Sequence, residues 1–238
     1  MEHEHTVAAI TNRLAQGPRH NYLRDLIYGG IDGSVTTFAV VTGVAGAHLP
    51  PVVIVIMGFA NLLADGFSMA ASNYLGTKAE HDDMHRLAAI EHRHIELEPD
   101  GEREEVRQIY ARKGFAGADL ERVVELITAD RERWVQTMLS DEYGLPQQAR
   151  SSWMAAIATF SAFLVCGLVP LLAYLFALNH ALALSTLMTG AVFFAIGSVK
   201  SRWSTSVWWR SGFSTLAVGA IAAGLAYAAG LFLNQLIH

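Results

Sequence analysis

Charge is scarce in this sequence. Of 238 residues, 16% are Asp, Glu, Lys or Arg and 52% are hydrophobic, where an ordinary soluble protein carries about 25% charged residues. The scarcity is local. No such residue occurs from Gly33 to Ala64, from Ser151 to Val199 or from Ser211 to His238, windows that together hold 109 residues. A single soluble globular domain is thereby excluded. Cysteine is nearly absent: Cys166 alone excludes a disulfide framework. Residues 1–24, with His3, His5, Arg13, Arg19 and Arg24, lack the apolar core of a cleavable signal peptide. Positive charge is not in excess, and the net charge of −5 argues against nucleic-acid binding. What is present is an acidic block. Ala79–Arg150 holds 17 of the 22 acids and 10 of the 17 Lys and Arg residues. The chain reads as an all-α, multi-pass membrane protein with one acidic, water-facing insert.

A helix needs roughly 20 mostly apolar residues to cross the hydrocarbon core. Five segments meet that length: Leu26–Ala47, Val52–Gly76, Trp153–Leu178, Leu182–Val199 and Ser211–Ile237. Pro50-Pro51 separates the first two, and Asn179-His180 the third from the fourth. The expected organisation is an N-terminal segment (1–25), spans one and two (26–77), an insert (78–150) and spans three to five (151–238). Arg13, Arg19, Arg24, Lys78, Lys200, Arg202 and Arg210 all fall on one side of such a plan. By the positive-inside rule that side is the cytoplasm, which puts the N-terminus and the insert inside and the C-terminus outside. Trp203, Trp208 and Trp209 fit an interfacial belt. Glycines at 29, 30, 33, 43 and 46, and at 219, 224 and 230, permit close helix contact, either within one bundle or at a dimer seam.

Two carboxylates interrupt the apolar spans. Asp32 lies in span one, roughly 9 Å from its cytoplasmic end at 1.5 Å per residue, and Asp65 lies deeper in span two. A charge in hydrocarbon costs at least about 2.5–3.5 kcal/mol, so such residues face a cavity or a partner. Asn61, Asp65 and Met69 follow at i, i+4 and i+8 and share one helix face. Amide oxygen, carboxylate and thioether suit a divalent transition metal better than Mg²⁺ or Ca²⁺. A carboxylate must lose its proton before it binds a cation, so such a site offers a route to metal–proton exchange. Ser34, Thr36 and Thr37 are expected to bond back to the preceding turn.

The insert alternates helical patterns with breakers and reads as three helices, the third broken. Lys78–Glu98 continues span two, Glu102–Lys113 ends at Gly114, and Ala118–Thr128 with Asp130–Tyr143 ends at Gly144. Glu91/His94 and Glu102/Glu105 are i, i+3 pairs, and Met138/Glu142 is i, i+4, as ligand pairs are in helical bundles. Solvated Glu-rich helices produce the same spacings, and ion pairs such as Glu98–Arg103 offer an ordinary use for the charge. His81, His85 and His92 read as surface residues. His3 and His5 read as part of a disordered terminus.

The segments DLIYGGIDGSVTTFAVVTGVAGA (Asp25–Ala47), GFANLLADGFSMAASNYLGTKAE (Gly58–Glu80), EPDGEREEVRQIYARKGF (Glu98–Phe115) and WVQTMLSDEYGL (Trp134–Leu145) resemble the vacuolar iron transporter family. The resemblance runs from Tyr22 to the C-terminus. It implies five spans, a cytoplasmic insert between spans two and three, and a homodimer that exports Fe²⁺, and often Mn²⁺, in exchange for protons. It implies no prosthetic group, the metal being cargo. The family's aspartate in span one matches Asp32, and its methionine in span two matches Met69. A glutamate common in eukaryotic members is Asn61 here, with Asp65 one turn along. The family's metal-binding glutamates match Glu91, Glu102, Glu105 and Glu142, and its methionine matches Met138. His94 and Leu139 stand where further carboxylates would be expected. Two rival readings are a membrane-bound ferritin-like di-iron oxidase and a non-transporting metal sensor. The first needs two Glu-x-x-His motifs on bundle helices, and outside the N-terminal segment only Glu91-x-x-His94 is present. The expected setting is a bacterial plasma membrane.

Overall fold

A computed structural model describes residues 4–16, 21–146 and 150–237. His3 and Arg19 lie outside them. Among the described residues the regular structure is helical throughout: α1 (Val7–Gln16), α2 (Leu23–Gly46), α3 (Pro51–Leu97), α4 (Pro99–Arg112), α5 (Gly117–Thr128), α6 (Arg131–Asp141), α7 (Ser152–Leu175), α8 (Ala181–Lys200) and α9 (Trp208–Ile237), with a 3₁₀ turn at Ser201–Trp203. The chain divides into two compact units, one of residues 1–19 and 76–151, the other of residues 20–75 and 152–238.

In the second unit, the first half of α3 and helices α7, α8 and α9 have the length and hydropathy of membrane spans. Their outward apolar side chains are bare: Ile56, Leu63 and Phe67 on α3, Val165 on α7, Leu187 on α8 and Leu225 on α9 are all exposed. Large apolar side chains on the outside of long helices that satisfy their own backbone are the mark of a lipid-facing surface. The chain is a multi-pass membrane protein. The segment expected as span one differs from the other four. At 24 residues α2 is long enough, about 36 Å at 1.5 Å per residue, but five glycines, Asp25 and Asp32 dilute its hydropathy. The reason is its position, since α2 packs against α7, α8 and α9 and buries 11 of its residues. It meets protein where the others meet lipid.

Its glycines are what allow that. A methyl group on Gly29 would run into the Thr159 carbonyl, and one on Gly33 into the Phe163 carbonyl, both on α7. Gly43 and Gly230 form the corresponding crossing of α2 with α9. These small residues therefore serve packing within one chain, the first of the two uses expected for them. Phe38, Val41 and Val44 of α2 close the core with Ile54 of α3 and Leu171 of α7. Pro170 lies inside α7, and the Ser185 hydroxyl donates to its carbonyl at 2.7 Å. The breaks fall where the sequence puts them, with His48 before α3 and His180 before α8 in the left-handed region. Trp203, Trp208 and Trp209 are exposed together beside Arg210, which stacks on the Trp209 ring.

In the first unit, α3 continues to Leu97, as expected for Lys78–Glu98. Pro99 is the first residue of α4, where its missing N–H costs no hydrogen bond. The third helix is indeed broken. The Asp130 carboxylate caps α6 by accepting from the Arg133 amide at 2.8 Å, which separates α6 from α5. Val106, Val124, Ile127, Trp134 and Met138 form the core, with Ile95 of α3 against it. The expected Glu98–Arg103 pair is replaced by Asp100–Arg103 at 3.1 Å, because Asp100 and Arg103 are i, i+3 on α4 whereas Glu98 and Arg103 are i, i+5 and do not share a face.

Candidate metal sites

The insert's candidate site is built on two helices that meet at the α3–α4 break. Glu91 and His94, one turn apart near the end of α3, face Glu102 in the first turns of α4. One ligand atom from each lies within 4.8 Å of the others. His94 Nδ1 is 3.4 Å from Glu102 Oε1 and 3.9 Å from Glu91 Oε1. Both carboxylates are buried, Glu91 to 1% and Glu102 to 6% exposure, and each leaves its Oε2 buried without a partner. Two orphaned carboxylate oxygens beside an imidazole have the donor set of a transition-metal site.

Burial pushes the Glu102 carboxyl up to about 7, and the charges of Glu91, Glu105 and Glu142 add to the effect. Partial desolvation also raises Glu142, with Glu105 and Glu91 adding and His94 opposing. Near neutral pH a cation entering the cluster therefore competes with a proton on Glu102. Glu105 is exposed on α4, and it and Glu142 act on the trio through their charge. Met138 is placed differently. It is wholly buried in the apolar core, packed with Val106 and Trp134. Next to Glu91, Arg131 donates to His92 Nδ1 at 3.2 Å and to the His92 carbonyl at 2.7 Å, and bonds Glu96, so the His92 ring is at the surface, as expected, but engaged there. His81 is likewise half-buried, with its Nε2 enclosed. Elsewhere on the surface, Arg107 bonds Glu121 and Glu104 and lowers both carboxyls, an ordinary use of charge.

The second constellation lies in the membrane unit. Ile54, Gly58, Leu62, Gly66 and Ala70 form the buried stripe of α3. Asn61, Asp65 and Met69 run along its edge, all half-buried. Asp32 on α2 is half-buried too, and the charges of Asp32 and Asp65 reach one another. Ser34 and Thr36 donate to Gly30 and Asp32 carbonyls at 2.9 Å, the back-bonding expected of them. Thr37 does not. Its hydroxyl is buried without a partner, as is the Asn61 side-chain nitrogen. Asp32 and Asp65 thus stand with two unsatisfied polar groups on helices α2 and α3.

Sequence reasoning missed two features. The first is a buried carboxylate, Asp25, which accepts from Asn73 Nδ2 at 2.9 Å; the same amide donates to Thr159 Oγ1 at 2.7 Å and ties α2, α3 and α7 together. These residues are 48 and 86 positions apart, and no local spacing signals the pairing. The second is Tyr143, whose hydroxyl donates to Glu91 Oε1 at 2.9 Å. Its signal was available, since it directly follows Glu142 and precedes the stop at Gly144.

Comparison with known proteins gives the family of the chain. Vacuolar iron transporter 2 of Oryza sativa subsp. japonica is 32% identical over 208 residues, covering 86% of this chain and 85% of its own. Vacuolar iron transporters of Plasmodium berghei and Arabidopsis thaliana are each 30% identical, over 229 residues (90% and 83%) and 209 residues (86% and 83%). With residues 23–231 matching the VIT family, and with relatives at 30% identity or more over most of both chains, the chain belongs to that family.

Proposed function

We propose that this protein carries Fe²⁺, and also Mn²⁺, across the membrane and out of the cytoplasm in exchange for protons. The observation that carries the reading is the pair Asp32 on α2 and Asp65 on the apolar first half of α3, two carboxylates whose charges reach one another. Two like charges in hydrocarbon repel, and either a proton or a divalent cation relieves them. Competition for one place is the physical content of antiport. The relatives' name, vacuolar iron transporter, supports iron as the cargo.

Capture begins in the insert, where Glu91, His94 and Glu102 take the ion from the cytoplasm. Glu105 and Glu142 raise the local concentration by their field. Met138, in the core, supports the fold of the insert rather than the ion. The ion then passes to Asp32, Asp65 and Met69, with the Asn61 amide beside them. Protons arriving from the far side displace it. Helix α2 serves as a fifth span, the insert faces the cytoplasm, and two copies assemble as a homodimer. No covalent chemistry is required.

The test is metal flux into proteoliposomes. Vesicles with an acidic lumen are expected to take up Fe²⁺ and Mn²⁺ and to alkalinise as they do so. Binding without flux would make the protein a sensor. Oxygen consumption on addition of Fe²⁺ would make it an oxidase.

A further inference from the structure

The site on the insert has three carboxylate or imidazole donors, but their orientation depends on a fourth group. Tyr143 stands one residue beyond Glu142, just past the end of α6. The chain turns back there: the Tyr143 amide donates to the Met138 carbonyl at 3.3 Å and the Leu145 amide to the Leu139 carbonyl at 2.9 Å, around Gly144 at φ +68°. This turn brings the phenol to α3, where its hydroxyl donates to Glu91 Oε1 at 2.9 Å.

The bond sorts the two oxygens of Glu91. Oε1 accepts from Tyr143 and faces His94, while Oε2 is buried and has no partner, like Oε2 of Glu102. A donor already on one oxygen leaves the other for a cation. It also joins the end of α6, which carries Glu142, to the helix that carries Glu91 and His94. Resting on the reading that Glu91, His94 and Glu102 hold the ion, we propose that Tyr143 is a positioning residue of this site. It fixes Glu91 as a one-oxygen ligand through Oε2, and it holds Glu142 within range. Partners of this kind, which orient a ligand without touching the metal, typically change metal affinity 10–100-fold when removed.

The experiment uses the full chain in detergent, with Mn²⁺ as the binding probe and Co²⁺ as the geometric probe. Tyr143→Phe keeps the ring and its packing and removes only the donor. Mn²⁺ affinity, followed by the electron paramagnetic resonance of the free ion, is expected to fall about 10–100-fold. The visible ligand-field bands of bound Co²⁺ are expected to shift as Glu91 becomes free to bind through both oxygens. Glu91→Gln and Glu102→Gln, measured alongside, are expected to abolish binding at the insert. Parent affinity and unshifted Co²⁺ bands in Tyr143→Phe, with binding lost in the two Gln variants, overturn the role of Tyr143 and leave the site standing. Lower affinity with unshifted bands also overturns it, since loss of packing alone would do that. Parent binding in both Gln variants overturns the site itself.

Discussion

Glu102→Gln should make the metal-free insert more stable at pH 8 while destroying its use. The Glu102 carboxyl is pushed from an ordinary 4.5 up to about 7 by burial beside Glu91, with Glu105 and Glu142 adding negative charge. A raised carboxyl binds its proton more tightly in the folded insert than in the unfolded one. Its stabilising effect is therefore complete below about pH 4.5 and is lost as pH rises from 4.5 to 7. At about 1.36 kcal/mol per pH unit the whole shift corresponds to roughly 3 kcal/mol. Screening by solvent reduces that to about 1–2 kcal/mol. Glutamine has the shape of the protonated acid and carries no charge, so it removes the loss. Hydrogen exchange of the α4 amides at residues 100–112 reads this locally in the full chain. At pH 8 the variant should exchange about 5–30-fold more slowly than the parent, and the difference should close toward pH 4.5. Equal or faster exchange in the variant at pH 8 would refute the claim that Glu102 is ionised at a cost, and with it the reason for a cation there.

Three further outcomes follow from the packing and the donor set. Gly33→Ala places a methyl group 2.9 Å from the Phe163 Cα, against backbone that cannot move aside, and should cost about 1–3 kcal/mol, seen as a lower melting temperature in detergent. His94→Ala should lower the affinity for Co²⁺ by at least about tenfold and that for Ca²⁺ much less, because imidazole favours transition metals; titration calorimetry with the two ions checks it. Gly144→Ala forces an L side chain to φ +68° and should cost about 1–2 kcal/mol, seen as faster exchange at the end of α6.

The spans and the insert were legible because hydropathy and breakers are local properties. Pro50-Pro51, Asn179-His180 and Pro99 stop helices by their own chemistry, and the structure follows them. Helix α2 was legible as a helix but not as the element the others surround, since that depends on where Thr159, Phe163 and Gly230 arrive from far along the chain. Glu91, His94 and Glu102 could be proposed from i, i+3 spacing, yet spacing alone could not separate them from Glu104 and Glu121, which bond Arg107 at the surface. Burial separates Glu91 and Glu102 from those two. Met138, at helical spacing on α6, lies in the apolar core, where a thioether packs as readily as it binds. Asp25 with Asn73 was illegible, being a contact between helices that share no local pattern.

Flux through Asp32 and Asp65 tests the central claim most directly. Proteoliposomes with an acidic lumen should take up Fe²⁺ through the parent. Asp32→Asn and Asp65→Asn should each reduce the initial rate by at least about tenfold, the loss expected when a ligand rather than its supporting partner is removed. Mn²⁺ binding to the insert should be unchanged in both. Transport by Asp32→Asn at the parent's rate would contradict the account.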